Sequence, residues 1–181
     1  RRRIGPLIGR DVELTFLRDK FERSRGGRGQ AILLRGDAGT GKSHLITRLY
    51  ADVGPSHSSA PVLQCSPDYS QTPLYPCIQH IEAAAKIRYE DSDSEKQRKL
   101  EALAVHYGLG SNEDFFALAE LLGLRSISAP QMAGLSADTV RSRIQAALLR
   151  WLHSLVRERT LLVVQDLHWA DPSTNELLSR F

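Results

Sequence analysis

Gly36-Asp37-Ala38-Gly39-Thr40-Gly41-Lys42-Ser43 stands between the apolar run Ala31-Ile32-Leu33-Leu34 and the helically spaced stretch from Ser43 to Tyr50. These eight residues fit G-x-x-x-x-G-K-S at every fixed position, and their flanks read as strand before and helix after. Glycines at 36, 39 and 41 permit backbone dihedrals closed to other residues, so that successive N–H groups approach one point. The loop also opens a helix at its positive end. Both features suit an anion. Lys42 adds a mobile ammonium for the β and γ phosphates of a nucleotide, and the Ser43 hydroxyl is placed to ligate magnesium. The competing explanation is a Gly-rich turn that merely contains Lys and Ser, and the strand-loop-helix context counts against it.

A phosphate loop of this kind needs a carboxylate at the end of a neighbouring apolar strand to hold magnesium through its water shell. Val163-Val164-Gln165-Asp166 offers one. Two registers are open: Asp166 serves the metal, or Asp166 polarises the attacking water and Gln165 stands at the metal position. In the second register a neutral amide replaces a charge, so nucleotide binds yet turns over poorly. A plainer alternative makes Asp166 the cap of the turn that follows, and Asp171 before Pro172 fits that role better still. His168 and Trp169 are candidates to face the nucleotide, though core packing is the expected role of Trp169.

Around these two motifs the chain reads as alternating elements. Asp11 is expected to cap a helix carrying Val12, Leu14, Phe16, Leu17 and Phe21, which the Gly-rich stretch 25–29 ends. Pro61 to Cys65 and Thr160 to Val164 read as buried strands. Between them lie turn residues 67–73, three helical stretches near Pro76–Ile87, Ser94–His106 and Asn112–Leu122, an acidic link at Glu90–Glu95, a loose segment from Ser126 to Gly134, and a helix from Ala137 to Arg157. A last helix begins near Pro172. Strands separated by helices favour an α/β fold, a three-layer sandwich whose parallel sheet places ligand chemistry at the carboxyl ends of its strands. The divisions expected are a linker and adenine-side segment at 1–10, a phosphate-loop core at 30–65, a helical insert at 74–123, and a helix, acidic strand and following helix at 136–181.

Composition narrows the classes. The chain has 181 residues, 41% hydrophobic and 25% charged, enough for one core with a helical annex. The net charge of +3 includes the run Arg1-Arg2-Arg3; the rest is nearly balanced. No basic recognition helix and no interleaved aromatic and basic strand is present, which argues against direct nucleic-acid binding. Cys65 and Cys77 are too few for a disulfide framework or zinc site, so both are expected to be buried thiols of a cytoplasmic protein. No apolar run approaches the roughly 20 residues that span a bilayer. The basic start without Met, and the stop at Phe181 inside a helix, suggest a piece of a longer polypeptide.

Gly5-Pro6-Leu7-Ile8-Gly9-Arg10-Asp11, the loop 36–43, Gln64-Cys65-Ser66-Pro67, Leu74-Tyr75-Pro76 and Gln165-Asp166-Leu167-His168-Trp169-Ala170-Asp171-Pro172-Ser173 follow in one order. In these residues the chain resembles the AAA-type, signal-transduction P-loop ATPase modules attached to bacterial class III adenylate/guanylate cyclases, with relatives in large ATP-binding transcription regulators. The resemblance implies a P-loop NTPase fold truncated before its later strands and lid, with ATP and Mg2+ as ligands. It implies a switch that passes its nucleotide state to effector domains of the same polypeptide, with nucleotide-dependent self-association as a further expectation. Nucleotide contacts are expected at Ile8, Gly9 and Arg10 beside adenine and at Gly36, Asp37, Ala38, Gly39, Thr40, Gly41, Lys42, Ser43 and His44. Lys42 and Asp166 carry the catalytic expectation, and Ser43 and Asp166 the metal. The family commonly has an acid where this chain has Gln165, which bears on hydrolysis more than on binding. Two other readings are the ATPase part of a DNA-binding transcription regulator and a non-hydrolysing scaffold. Cyclase chemistry finds no support, because no two-metal carboxylate pair is present.

Overall fold

The computed structural model describes residues 9–27, 29–53, 61–109, 112–156 and 161–181. The expectations for Ile8, the preceding segment, Arg157 and Thr160 lie outside them. The chain divides into two compact units, one formed by residues 1–60 and 159–161, the other by 61–158 and 162–181.

In the first unit, helices α1 (Asp11–Arg25) and α2 (Lys42–Val53) pack through Leu14, Leu17, Leu45 and Leu49, with Leu34, Val53 and Leu161 against them. Burying four leucines at about 2 kcal/mol each is the main cohesive term of so small a core. Arg18 on α1 pairs with Asp52 on α2, which Arg48 also approaches at 3.4 Å. The expected apolar face of α1 is half realised: Leu14, Leu17 and Phe21 are buried, whereas Val12 and Phe16 face solvent. Asp11 is not the cap. Arg10 occupies the N-cap position without a side-chain cap bond, and Asp11 is the first helical residue, where its charge meets the positive helix end.

The strand expected at Ala31–Leu34 is not formed. This stretch has no strand assignment, and Ile32 and Leu33 are 43% and 61% exposed. A strand is defined by its neighbour's hydrogen bonds, and no described residues supply a ladder here. The parallel sheet accordingly has two strands among the described residues, β1 (Val62–Gln64) and β2 (Val163–Gln165), in the second unit. They are parallel, with Val62 opposite Val163, Leu63 opposite Val164 and Gln64 opposite Gln165.

The rest of the second unit is helical: α3 (Tyr75–Ala85), α4 (Asp93–His106), α5 (Asn112–Leu121), α6 (Arg125–Met132), α7 (Ala137–Val156) and α8 (Pro172–Arg180). Trp151 on α7, Leu63 on β1, Ile81 on α3, Leu100 on α4, Leu118 on α5 and Leu177 on α8 are fully enclosed in one core. The three helices expected in the insert are all present. The acidic link before α4 has a specific job: Ser92 accepts from the Glu95 backbone while the Glu95 side chain accepts from the Ser92 backbone, a reciprocal capping box. The segment read as loose from Ser126 contains α6. Its Ser and Pro130 content weakens helical propensity, and contact with α5 overrides it. The buried Ser128 hydroxyl donates to Glu120 at the end of α5, 2.5 Å away. Asp114, buried on α5, receives a two-pronged contact from Arg150 on α7.

Candidate functional site: the phosphate loop and the acidic strand end

In the first unit, residues 38–41 form a tight turn running straight into α2. Gly39 and Gly41 have φ of +80° and +85°, which explains why the sequence spends glycines there; a Cβ on either would meet nothing within 4 Å, so the space over the loop is open. The turn is braced by the Thr40 hydroxyl donating to the Asp37 carbonyl at 2.9 Å. Among the described residues, the backbone N–H groups of Gly39, Gly41, Lys42 and Ser43 have no backbone acceptor, as expected for donors at a helix start. The Lys42 ammonium folds over the loop and donates to the carbonyls of Gly36 and Asp37, each at 2.7 Å. Unpaired donors, a helix N-terminus and an ammonium thus meet around open space, the chemistry a polyphosphate requires. Ser43 is exposed on the first turn of α2, and His44 follows it partly buried.

Arg10 joins this loop from outside. Its guanidinium donates to the Thr40 carbonyl at 2.7 Å and pairs with Glu13 at 3.1 Å, tying the start of α1 to the turn. Gly9 precedes it with φ of +73°. Of the residues expected beside adenine, Arg10 is therefore brought to the phosphate loop itself.

In the second unit, Asp166 follows β2 directly, in a left-handed conformation with φ 52° and ψ 42°. Such a conformation is uncommon outside glycine and clusters where geometry is functionally constrained. The cap role weighed for Asp166 is not realised, because its side chain makes no cap bond to the short 3-10 turn at Leu167–Trp169. Its Oδ2 instead accepts from the Gln64 amide at 2.9 Å, and the same nitrogen donates to the Cys65 carbonyl. Gln64 is the residue that sequence reasoning missed. Its signal lay in the Gln-Cys-Ser-Pro segment, yet only the parallel register places Gln64 beside the end of β2. Trp169 is a correction: it is 41% exposed on the 3-10 turn rather than in the core.

Asp171 does cap α8, its Oδ1 accepting from Ser173 N at 2.9 Å and Thr174 N at 3.0 Å. Cys65 and Cys77 are buried free thiols. Burial pushes the Cys77 thiol up to about 12, with the Asp171 carboxylate and Cys65 adding to the effect, and Cys65 is raised by burial and by Asp171 and Asp166. Burial thus disfavours the thiolate form of both. Among the described residues no cluster of three or more His, Cys, Asp or Glu side chains is arranged to hold a metal. No described helix is long and apolar enough to cross a membrane.

No solved structure matches the chain. An uncharacterized protein of Rhizobium meliloti (strain 1021) is 28% identical over 180 residues, covering 96% of this chain and 17% of that protein. The chain thus spans about a sixth of the length of the relative it matches. A family model described as an AAA ATPase domain matches residues 6–181, which include the glycine loop, its lysine and the acidic strand end. The chain belongs to the AAA ATPase domain family and has its P-loop α/β fold.

Proposed function

We propose that this chain is an ATP-Mg-binding regulatory module, with slow or no hydrolysis, of a multidomain signalling protein linked to a nucleotide cyclase. AAA ATPase domains generally bind ATP with magnesium, and the observation that supports this for the chain is the open glycine turn at the start of α2 with Lys42 folded over it. In this reading the N–H groups of Gly39, Gly41, Lys42 and Ser43 and the Lys42 ammonium bind the phosphates, the ammonium exchanging the carbonyls of Gly36 and Asp37 for phosphate oxygens. Ser43 fits a magnesium ligand, since its hydroxyl makes no hydrogen bond to described residues and lies exposed on the first turn. Magnesium supplies charge neutralisation of the β and γ oxygens when bound. Asp166 supplies the acidic group on either the metal or the attacking water. With Asp166 on the attacking water, Gln165 limits the reaction, because a neutral amide stands where the family commonly has an acid.

The effector linkage is supported by the resemblance and by the much greater length of the Rhizobium protein. Function then lies in passing the nucleotide state to the effector, not in turnover. Calorimetric titration with ATP and GTP, each with and without magnesium, tests the binding. ATP binding that depends on magnesium and falls at least tenfold in Lys42→Ala supports the site, while equal binding by the variant removes it.

A further inference from the structure

We propose that Asp171 is a positioning residue that couples the acidic end of β2 to the helical insert, so that what occupies Asp166 is felt at the first turn of α3. The inference rests on the nucleotide reading above. Two segments leave the carboxyl ends of the paired strands, residues 65–74 from β1 and 166–171 from β2. At the strand side they are joined by Cys65 N–H donating to the Gln165 carbonyl at 3.1 Å and by Gln64 Nε2 donating to Asp166 Oδ2 at 2.9 Å. At the far side they are joined again, where Leu74 N–H donates to Asp171 Oδ2 at 3.2 Å. Chain and hydrogen bonds thus close a ring.

The ring has little slack. Thr72 donates to Tyr69 and Tyr75 to Thr72 along one arm; Trp169 donates to Asp166 and Ala170 to Leu167 along the other. Tyr69 and Tyr75 stack with ring centroids 3.7 Å apart, stiffening the first arm further. Among described residues the non-glycine positions with positive φ are Leu74, Lys86 and Asp166. Two of the three sit at opposite clamps of this ring. A left-handed side-chain-bearing residue persists only where its surroundings hold it, and here each is held by a carboxylate contact.

A capping role alone explains only half of Asp171. Its Oδ1 satisfies the first N–H groups of α8, whereas Oδ2 is divided between the Thr174 hydroxyl at 2.5 Å and Leu74 of the other arm. The N-termini of α3 and α8 therefore meet on one carboxylate, which is 3% exposed. Positive ends of two helices favour that charge, and its burial makes a lost partner costly. When Asp166 exchanges Gln64 for the metal or the attacking water, the 166–170 arm shifts, and the Asp171 clamp passes the shift to Leu74.

Hydrogen exchange of the full chain, with and without ATP-Mg, tests this alongside calorimetry. The wild type is expected to exchange the amides of residues 74–78 about threefold faster when ATP-Mg is bound. Asp171→Asn keeps an oxygen for Ser173 and Thr174 but turns N–H groups toward Leu74. It should bind ATP and keep the response at 166–170 while losing that at 74–78. Asp171→Ser, a competent cap too short to reach Leu74, serves if the asparagine variant does not fold. Gln64→Leu should accelerate exchange at 74–78 without nucleotide. An ATP response at 74–78 that persists in either Asp171 variant overturns the coupling, as does its absence in an ATP-binding wild type. Should the wild type bind no ATP, the proposed function falls and the Gln64→Leu comparison decides the coupling, with unchanged exchange at 74–78 overturning it.

Discussion

At the scale of single residues, the effects with the largest expected size are those of charges held in fixed places. Asp114 is buried and accepts from two nitrogens of Arg150, whose far side remains in water. Removing the guanidinium takes from a buried carboxylate the cation that both its oxygens meet, so Arg150→Ala is expected to lower unfolding free energy by about 2 kcal/mol, less than for a wholly buried pair because Arg150 is half exposed. Urea unfolding checks this, and a change below about 0.5 kcal/mol, the usual surface effect, would contradict it. Gln165 invites the opposite kind of change, a gain. Gln165→Glu is expected to raise the ATP hydrolysis rate without altering ATP affinity; no rise assigns the metal to Asp166 instead. The residue scale was also the most legible in sequence. The glycines at 39 and 41 and Lys42 act through local backbone geometry, which their spacing declares. Gln64 was not legible, because its partner Asp166 lies 102 positions away and only strand pairing brings them together.

At the scale of elements, helices proved readable and strands less so. α5 and α7 begin where apolar spacing placed them, whereas α4 begins at Asp93, one residue before the expected Ser94, because the Ser92–Glu95 capping box sets its start inside the stretch read as a link. The short α6 escaped notice because Ser and Pro130 dilute its pattern, and its position is fixed by α5. Ala31–Leu34 was over-read, since an apolar run reports burial preference but says nothing of a pairing partner. Capping carries the prediction that belongs here. Asp171→Ala removes the cap of α8 and the acceptor of Leu74 together, with an expected loss of about 2 kcal/mol. Asp171→Asn should recover part of it in thermal or urea unfolding, and equal losses would show that the cap oxygen contributes nothing.

At the scale of the whole molecule, stability should depend on pH through His80. Burial lowers its pKa below the ordinary 6.5, and its ring lies 5.3 Å from the enclosed Trp151. The unfolded chain then binds the proton more readily than the folded one. The contribution is complete above pH 6.5 and is lost as pH falls below it. His80→Phe is expected to flatten the decline in unfolding free energy between pH 7 and pH 5.5. Glu95 and Glu176, held low by hydrogen bonds, act only in the more acidic carboxylate range. Family and fold follow from the match over residues 6–181, while the signalling role depends on whether the loop of the first unit holds nucleotide.

Titration calorimetry of the chain with ATP in magnesium, beside the Lys42→Ala variant, tests that dependence most directly. Saturable, magnesium-dependent ATP binding that the variant loses by at least tenfold is the predicted result. Identical isotherms for the two proteins would contradict the assignment of the glycine loop as the phosphate site.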